Sequence, residues 1–89
     1  MTTQTEIGEW FDEGVAKGSA YMLILCDTYD WDDYPVYTSN GDEATRRAKH
    51  PGEMQKLMEV YDLHMSRDEQ LRKHRVMNLP AAQGTSAPG

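Results

Sequence analysis

The feature that most constrains this chain is an unbroken apolar run from Ala20 to Cys26. Its seven residues fall far short of the roughly 20 that a membrane-spanning helix needs. A run this short and this sharply bounded favours a strand, Tyr21 to Cys26, that is apolar on both of its alternating faces. Because neither face can remain in water, other parts of the chain, or a second copy of it, must cover both.

A helix is predicted before this strand, over residues 4–17. Thr3 and Glu6 have the spacing of a capping box, which satisfies free backbone N–H groups where a helix begins. Apolar residues then recur at helical intervals, and Gly18 is a suitable C-terminal stop. Gly14 falls on the apolar face, where its missing side chain allows close approach at a cost of about 1 kcal/mol in helix propensity.

A second strand is predicted at Tyr34 to Thr38. A loop over residues 28–33 joins it to the first strand as an antiparallel hairpin. Pro35 has no backbone N–H to donate, so it indicates that this strand lies at an edge of the sheet or that Pro35 begins it.

The second half of the chain is predicted to be helical. A turn over residues 39–42 precedes a short helix that ends near Pro51 and carries three bases toward its C-terminal end: Arg46, Arg47 and Lys49. A longer helix is expected next, because Pro51 suits a first helical position and an apolar stripe follows: Met54, Leu57, Met58, Tyr61 and Met65. Ser66 and Glu69 repeat the capping-box spacing and predict a last helix over residues 67–77, which Pro80 ends.

These elements predict a small single α+β domain, in which an antiparallel β-hairpin packs with three to four helices in the order α-β-β-α-α-α. The domain spans residues 1–79, and residues 80–89, rich in Ala, Gly, Pro and Ser, are expected to be a disordered tail. Because a hairpin by itself has no interior strand, a homodimer through the hairpin is also predicted.

The net charge of the chain and its distribution limit the kinds of molecule that the chain is expected to bind. The chain has 15 acidic and 9 basic residues, and its formal net charge of −6 disfavours general binding to nucleic acid or to an anionic membrane. Residues 1–43 have a net charge of −9, whereas residues 44–89 have a net charge of +3. Either the two halves neutralise each other or the acidic half faces a basic partner. Direct nucleic-acid binding would use the last helix together with the three bases of the short helix: Arg46, Arg47 and Lys49.

The densest chemical feature is the acidic aromatic segment DTYDWDDYP over residues 27–35. Carboxylates attract Lys and Arg, and aromatic faces add about 0.5–2 kcal/mol of cation–π attraction. The segment predicts a loop that binds an unidentified basic protein surface through these residues: Asp30, Trp31, Asp32, Asp33, Tyr34 and Tyr37. Two alternatives stay open. In one, Trp31 and Tyr34 pack back onto the core. In the other, the aspartates hold a divalent cation, although calcium-loop spacing is absent.

Motifs for catalysis are not found in the sequence. It has no Gly-rich phosphate loop, no Cys-x-x-Cys and no His-Glu-x-x-His segment, and its single cysteine, Cys26, is expected to be a buried thiol. No catalytic residue, metal site or cofactor is therefore predicted. The alternatives to a protein-binding loop are a metal-assisted hydrolase using Asp27, Asp30 or Asp33, and an inhibitor whose carboxylates mimic nucleic acid.

The expected location is the cytoplasm. No base precedes Lys17, and Glu6 and Glu9 lie early in the chain, which is a pattern unlike that of a signal peptide.

Several segments resemble a family of small uncharacterised proteins of bacteria and their phages. The resemblance covers most of residues 7–76 and is carried by WF at 10–11, MLILCDTYD at 22–30, DYPVY at 33–37 and MEVYDL at 58–63. Its most specific parts are the Cys-Asp-Thr and Asp-Tyr-Pro-Val-Tyr pieces. The family implies no activity or mechanism, but a phage setting implies a small acidic protein that binds a host factor.

Overall fold

A computed structural model of the chain describes residues 2–73 and 76–79. Three strands form one antiparallel sheet in the order β2-β1-β3, and helices flank it. The elements are α1 (Gln4–Lys17), β1 (Tyr21–Asp27), β2 (Asp32–Thr38), α2 (Gly41–Lys49), β3 (Gln55–Asp62) and α3 (Arg67–Leu71). The α+β class is confirmed, but the predicted order is wrong at one element, because a strand replaces the fifth, helical one. Within the described residues, no helix is long and apolar enough to cross a membrane.

Helix α1 has the predicted bounds, and the predicted capping box is present. The Thr3 hydroxyl accepts from the Glu6 backbone N–H at 3.1 Å, and the Glu6 carboxylate accepts from the Thr3 N–H at 3.0 Å. Gly18 ends the helix in the left-handed region, at φ 78°, where a glycine has no Cβ to clash. Both ends of α1 therefore follow from local sequence chemistry.

Strand β1 is the central strand, and helices cover it from both sides. On one face, Met22 and Ile24 pack with Phe11 of α1 and with Tyr61, whose ring meets Phe11 edge-on at 6.3 Å between centroids. On the other face, the core contains Leu23 of β1, Ala44 of α2 and Val60 of β3. One copy of the chain thus covers both faces. The homodimer stays a prediction, but the apolar strand no longer requires it.

The longer helix predicted after Pro51 is wrong, because most of its apolar stripe lies in strand β3. A β-bulge explains the misleading pattern: Leu25 pairs with Leu57, but the preceding Ile24 pairs with Glu59, so Met58 is an extra residue. The bulge places Leu57 and Val60 in the same core cluster, three residues apart. Their spacing imitates a helix, although the backbone is extended.

The last predicted helix begins correctly but is shorter than predicted. The Ser66 hydroxyl accepts from the Glu69 N–H at 3.3 Å, as in an N-cap, yet α3 ends at Leu71 rather than at residue 77. Beyond α3, Val76 is buried and its carbonyl accepts from the Val60 N–H at 2.7 Å, so this segment adds a parallel bridge to the outer edge of β3. The predicted tail at 80–89 lies outside the described residues.

Candidate functional site

A four-residue loop, residues 28–31, joins β1 to β2 at one end of the sheet. Asp27 holds this loop: its carboxylate Oδ1 accepts from the Tyr29 N–H at 2.8 Å, and its carbonyl accepts from the Trp31 N–H at 2.5 Å. The Asp27 side chain therefore orders the turn, as Asx residues commonly do.

The two aromatic side chains of this loop are in solvent. Tyr29 is 75% exposed and Trp31 is 70% exposed, and the neighbouring Asp30 and Asp32 are exposed as well. The alternative in which Trp31 folds back onto the core is therefore wrong. A large aromatic side chain that is this exposed does not contribute the buried apolar area by which such residues normally stabilise a fold.

Trp31 also has an unusual backbone conformation, which it shares with Met54. They are the two non-glycine residues with a positive φ in the part of the chain that the structure describes, at 59° and 57°. The Thr28 N–H donates to the Met54 carbonyl at 2.8 Å, so the two positions lie at the same end of the sheet. Met54 is 57% exposed. We call the side chains of Tyr29, Asp30, Trp31, Asp32 and Met54 the tip surface.

The exposure of Met54 at this end of the sheet was not predicted, because its spacing placed it in the apolar stripe of a helix. The available signal was the Pro51-Gly52 pair just before it, which is typical of a turn. Gly52 has a φ of 111°, so the chain does turn there before β3 begins.

Three of the predicted partner-binding residues have contacts within the fold. The Tyr34 hydroxyl donates to the side-chain carbonyl of Gln55, on the far side of the central strand. The Tyr37 hydroxyl donates to the Trp10 carbonyl in α1 at 2.7 Å, and Lys17 lies over its ring at 4.6 Å. Asp33 is partly buried and is the β2 residue that pairs with Cys26. Of the six candidates, Asp30, Trp31 and Asp32 therefore remain on one exposed surface.

Cys26 is buried, as predicted. It is 5% exposed, and burial together with the neighbouring Asp33 carboxylate raises the pKa of its thiol. A raised pKa disfavours the thiolate, which is the nucleophilic form. Among residues 2–73 and 76–79, no three His, Cys, Asp or Glu side chains come together as a metal site. Within this part of the chain, the carboxylates considered for a hydrolase, Asp27, Asp30 and Asp33, therefore do not belong to a metal-ligand cluster of that kind.

A basic groove lies between α2 and the edge strand β2. Its volume is about 380 Å³, and its lining consists of Val36, Tyr37, Thr38, Glu43, Arg46, Arg47 and His50. We call it the α2–β2 groove. None of the loop carboxylates lines it. Arg46 and Arg47 lie in the last turn of α2, where the helix dipole favours positive charge, as the sequence predicted.

Among the described residues, one ion pair joins the acidic half of the chain, residues 1–43, to the basic half, residues 44–89. Arg67 Nε lies 2.9 Å from Asp12 Oδ1, although its N–H is not aligned for a hydrogen bond. The other pairs, such as Lys17 with Glu13 at 3.9 Å, lie within one half. Most of the charge asymmetry is therefore not removed by ion pairs within this part of the chain.

Comparison with protein-family models, with curated proteins and with solved structures found no match to this chain.

Replacing Trp31 by glycine is expected to stabilise the fold by up to about 1 kcal/mol. Left-handed backbone costs a non-glycine residue about 1–2 kcal/mol, whereas glycine adopts it freely and loses only part of that gain through its greater freedom when unfolded. Thermal and urea unfolding would measure the change. Trp31→Ala is the control, because alanine removes the indole but keeps the strain and should give no gain. A loss of stability in Trp31→Gly would show that the indole packs on the protein.

Proposed function

We propose that this chain is a non-catalytic protein-binding module of the cytoplasm, whose tip surface engages a basic surface on another protein. The observation that carries the proposal is Trp31, which is 70% exposed and held in left-handed backbone at φ 59°. Exposure leaves the indole without the stabilisation of burial, and left-handed backbone costs a non-glycine residue about 1–2 kcal/mol. Strained backbone that the surrounding structure maintains is typical of functional positions.

The chemistry of the tip surface suits a partner rich in Lys and Arg. Tyr29 and Trp31 offer aromatic faces to cations, and the adjacent Asp30 and Asp32 offer carboxylates. Trp, Tyr and Arg dominate the energetics of protein interfaces. Met54 adds a flexible apolar contact, which adapts to the shape of a partner.

The tip surface is also partly preorganised. The two hydrogen bonds to Asp27 hold the loop, and the bond from Thr28 to Met54 ties the loop to the segment before β3. A loop that is already ordered loses less conformational entropy when it binds, so more of the contact energy appears as affinity. The resemblance to bacterial and phage proteins favours a host protein as the partner.

The proposal is tested by capture from a lysate of the source organism, read by mass spectrometry. The tip variant carries Asp30→Asn with Trp31→Gly, and a matched control carries Glu9→Gln with Val15→Ala. Both remove one exposed acid and one exposed apolar side chain, but the control does so on α1. We expect the wild type and the control, but not the tip variant, to capture the same protein.

The captured protein is then purified and titrated against the chain. Binding should shift the fluorescence of the exposed Trp31 to shorter wavelength and protect it from acrylamide. Equal capture by all three forms would contradict the proposal. If DNA displaces the captured protein and binding weakens steeply with salt, the tip surface mimics nucleic acid.

A further inference from the structure

We propose that the α2–β2 groove receives the tip surface of a second copy of this chain, so that two copies exchange reciprocal contacts. This inference rests on the proposed function, because it takes the tip surface as a binding surface and names one partner for it. It also assigns a role to the basic groove, which the proposed function leaves unused.

Ion pairs among the residues that the structure describes do not neutralise the positive charge of the groove. Neither Arg46 nor Arg47 forms an ion pair with a carboxylate among the described residues, and the contact from Arg47 Nη1 to the Pro51 carbonyl is long, at 3.4 Å. The one carboxylate in the lining, Glu43, accepts from the Ser39 N–H at 2.7 Å. Val36 adds apolar surface to the lining.

The tip surface has the complementary chemistry. A guanidinium can bind a carboxylate such as Asp30 or Asp32 through two parallel hydrogen bonds, and it can also stack on the face of an indole such as Trp31. The tip therefore presents acid beside an aromatic ring, and the groove presents guanidinium groups beside apolar surface. In the dimer, the guanidinium groups of the groove would bind the carboxylates and the indole of the tip surface, which are exposed to water in a single copy.

Symmetry brings these two surfaces together. Strand β2 lies at an edge of the sheet, begins at Asp32 beside the tip, and ends at Thr38 in the groove. Around a two-fold axis perpendicular to the sheet and near Pro35, two such strands run antiparallel, so the start of each lies beside the end of the other. Each tip then lies next to the partner's groove, and the assembly closes at two copies. Pro35 cannot donate to a ladder, so side chains carry the contact.

The test is a charge exchange followed by sedimentation velocity at high micromolar concentration. One variant carries Asp30→Lys with Asp32→Lys, and the other carries Arg46→Glu with Arg47→Glu. The wild type should be a dimer, and each variant alone should have a Kd for dimerisation raised by at least about tenfold. An equimolar mixture of the two should form a heterodimer, because both of its contacts again join opposite charges.

A monomeric wild type, a groove variant that dimerises like the wild type, or a mixture that stays monomeric would each overturn the assignment. The capture experiment separates this failure from that of the proposed function. If the groove variant dimerises normally while the tip variant still loses its captured protein, the groove assignment fails and the proposed function stands. If changes in the tip affect neither dimerisation nor capture, both fail.

Discussion

Replacing Gln70 by leucine is expected to lower the free energy of unfolding by about 3–5 kcal/mol, which is a large share of the stability of a small domain. Leucine has a similar size, so little of the effect would come from a cavity. The effect would come from polar groups that lose their partners in the core. Urea unfolding followed by circular dichroism measures it.

The side-chain amide of Gln70 makes four hydrogen bonds although the residue is only 2% exposed. Nε2 donates to the Asp62 carbonyl at 2.8 Å and to the Ser66 carbonyl at 3.2 Å, while Oε1 accepts from the Asp62 N–H at 2.9 Å and from Asn78 Nδ2 at 2.6 Å. The amide thus pairs with both backbone groups of Asp62, as a neighbouring strand would. It joins β3, α3 and the segment after α3.

Gln70→Glu gives a second, pH-dependent test of the same contacts. A carboxylate cannot donate to the two carbonyls, and burial should raise the pKa of the new carboxyl above its unfolded value of about 4.3. The destabilisation should therefore be smallest below that pH and grow as the pH rises through the folded pKa. Gln4→Glu, in the first turn of α1, is the comparison: it also removes a side-chain donor, to the Leu71 carbonyl, but the positive end of the helix favours its carboxylate, so its stability should not fall as the pH rises. Equal effects at both positions would contradict this role of Gln70.

The same substitution at two glycines of α1, Gly14 and Gly8, is expected to destabilise the fold at the first and not at the second. A Cβ on Gly14 would lie 2.7 Å from Tyr37 Cε1 and 2.8 Å from Leu63 Cδ1, which are parts of packed side chains. Gly14→Ala should therefore lower the free energy of unfolding by about 1–2 kcal/mol, even though alanine raises helix propensity by about 1 kcal/mol. The added methyl group would also displace the Tyr37 ring and so disturb the hydrogen bond from its hydroxyl to the Trp10 carbonyl.

Gly8→Ala is the matched control on the same helix. A Cβ there would meet mainly the terminal guanidinium of Arg67, which is the far end of a flexible side chain. Arg67 can move at the expense of an exposed ion pair, which contributes at most about 1 kcal/mol. Gly8→Ala should thus be neutral or stabilising in thermal unfolding. If Gly14→Ala were equally harmless, the close approach of Tyr37 would not be a real packing constraint.

The residues that hold the fold are separate from those of the tip surface. Gln70 and Gly14 act in the core, whereas Trp31 and Asp30 are exposed at the end of the hairpin. Substitutions at the tip are therefore expected to change binding without unfolding the chain. This separation makes the capture and charge-exchange experiments interpretable.

Local chemistry explains which elements could be predicted. The capping box at Thr3 and the left-handed Gly18 set the ends of α1, and the short apolar run has no stable alternative to a buried strand. The close approach at Gly14 was also predictable, because a glycine on the apolar face of a helix leaves room for a neighbouring side chain. The solvent exposure of Trp31 was not predictable, since an aromatic residue in a loop can equally pack onto the core.

Local sequence was enough to predict α1, the antiparallel hairpin and the short basic helix α2, because capping groups, turn residues and hydrophobic periodicity act within a few residues. Tertiary pairing made residues 55–62 a strand, since a bulge gave extended backbone a helical spacing and the open edge of β1 supplied the hydrogen-bond partners. It also brought Met54 beside the hairpin loop. The tip surface exists because pairing of β3 with β1 joins residues that lie far apart in the chain.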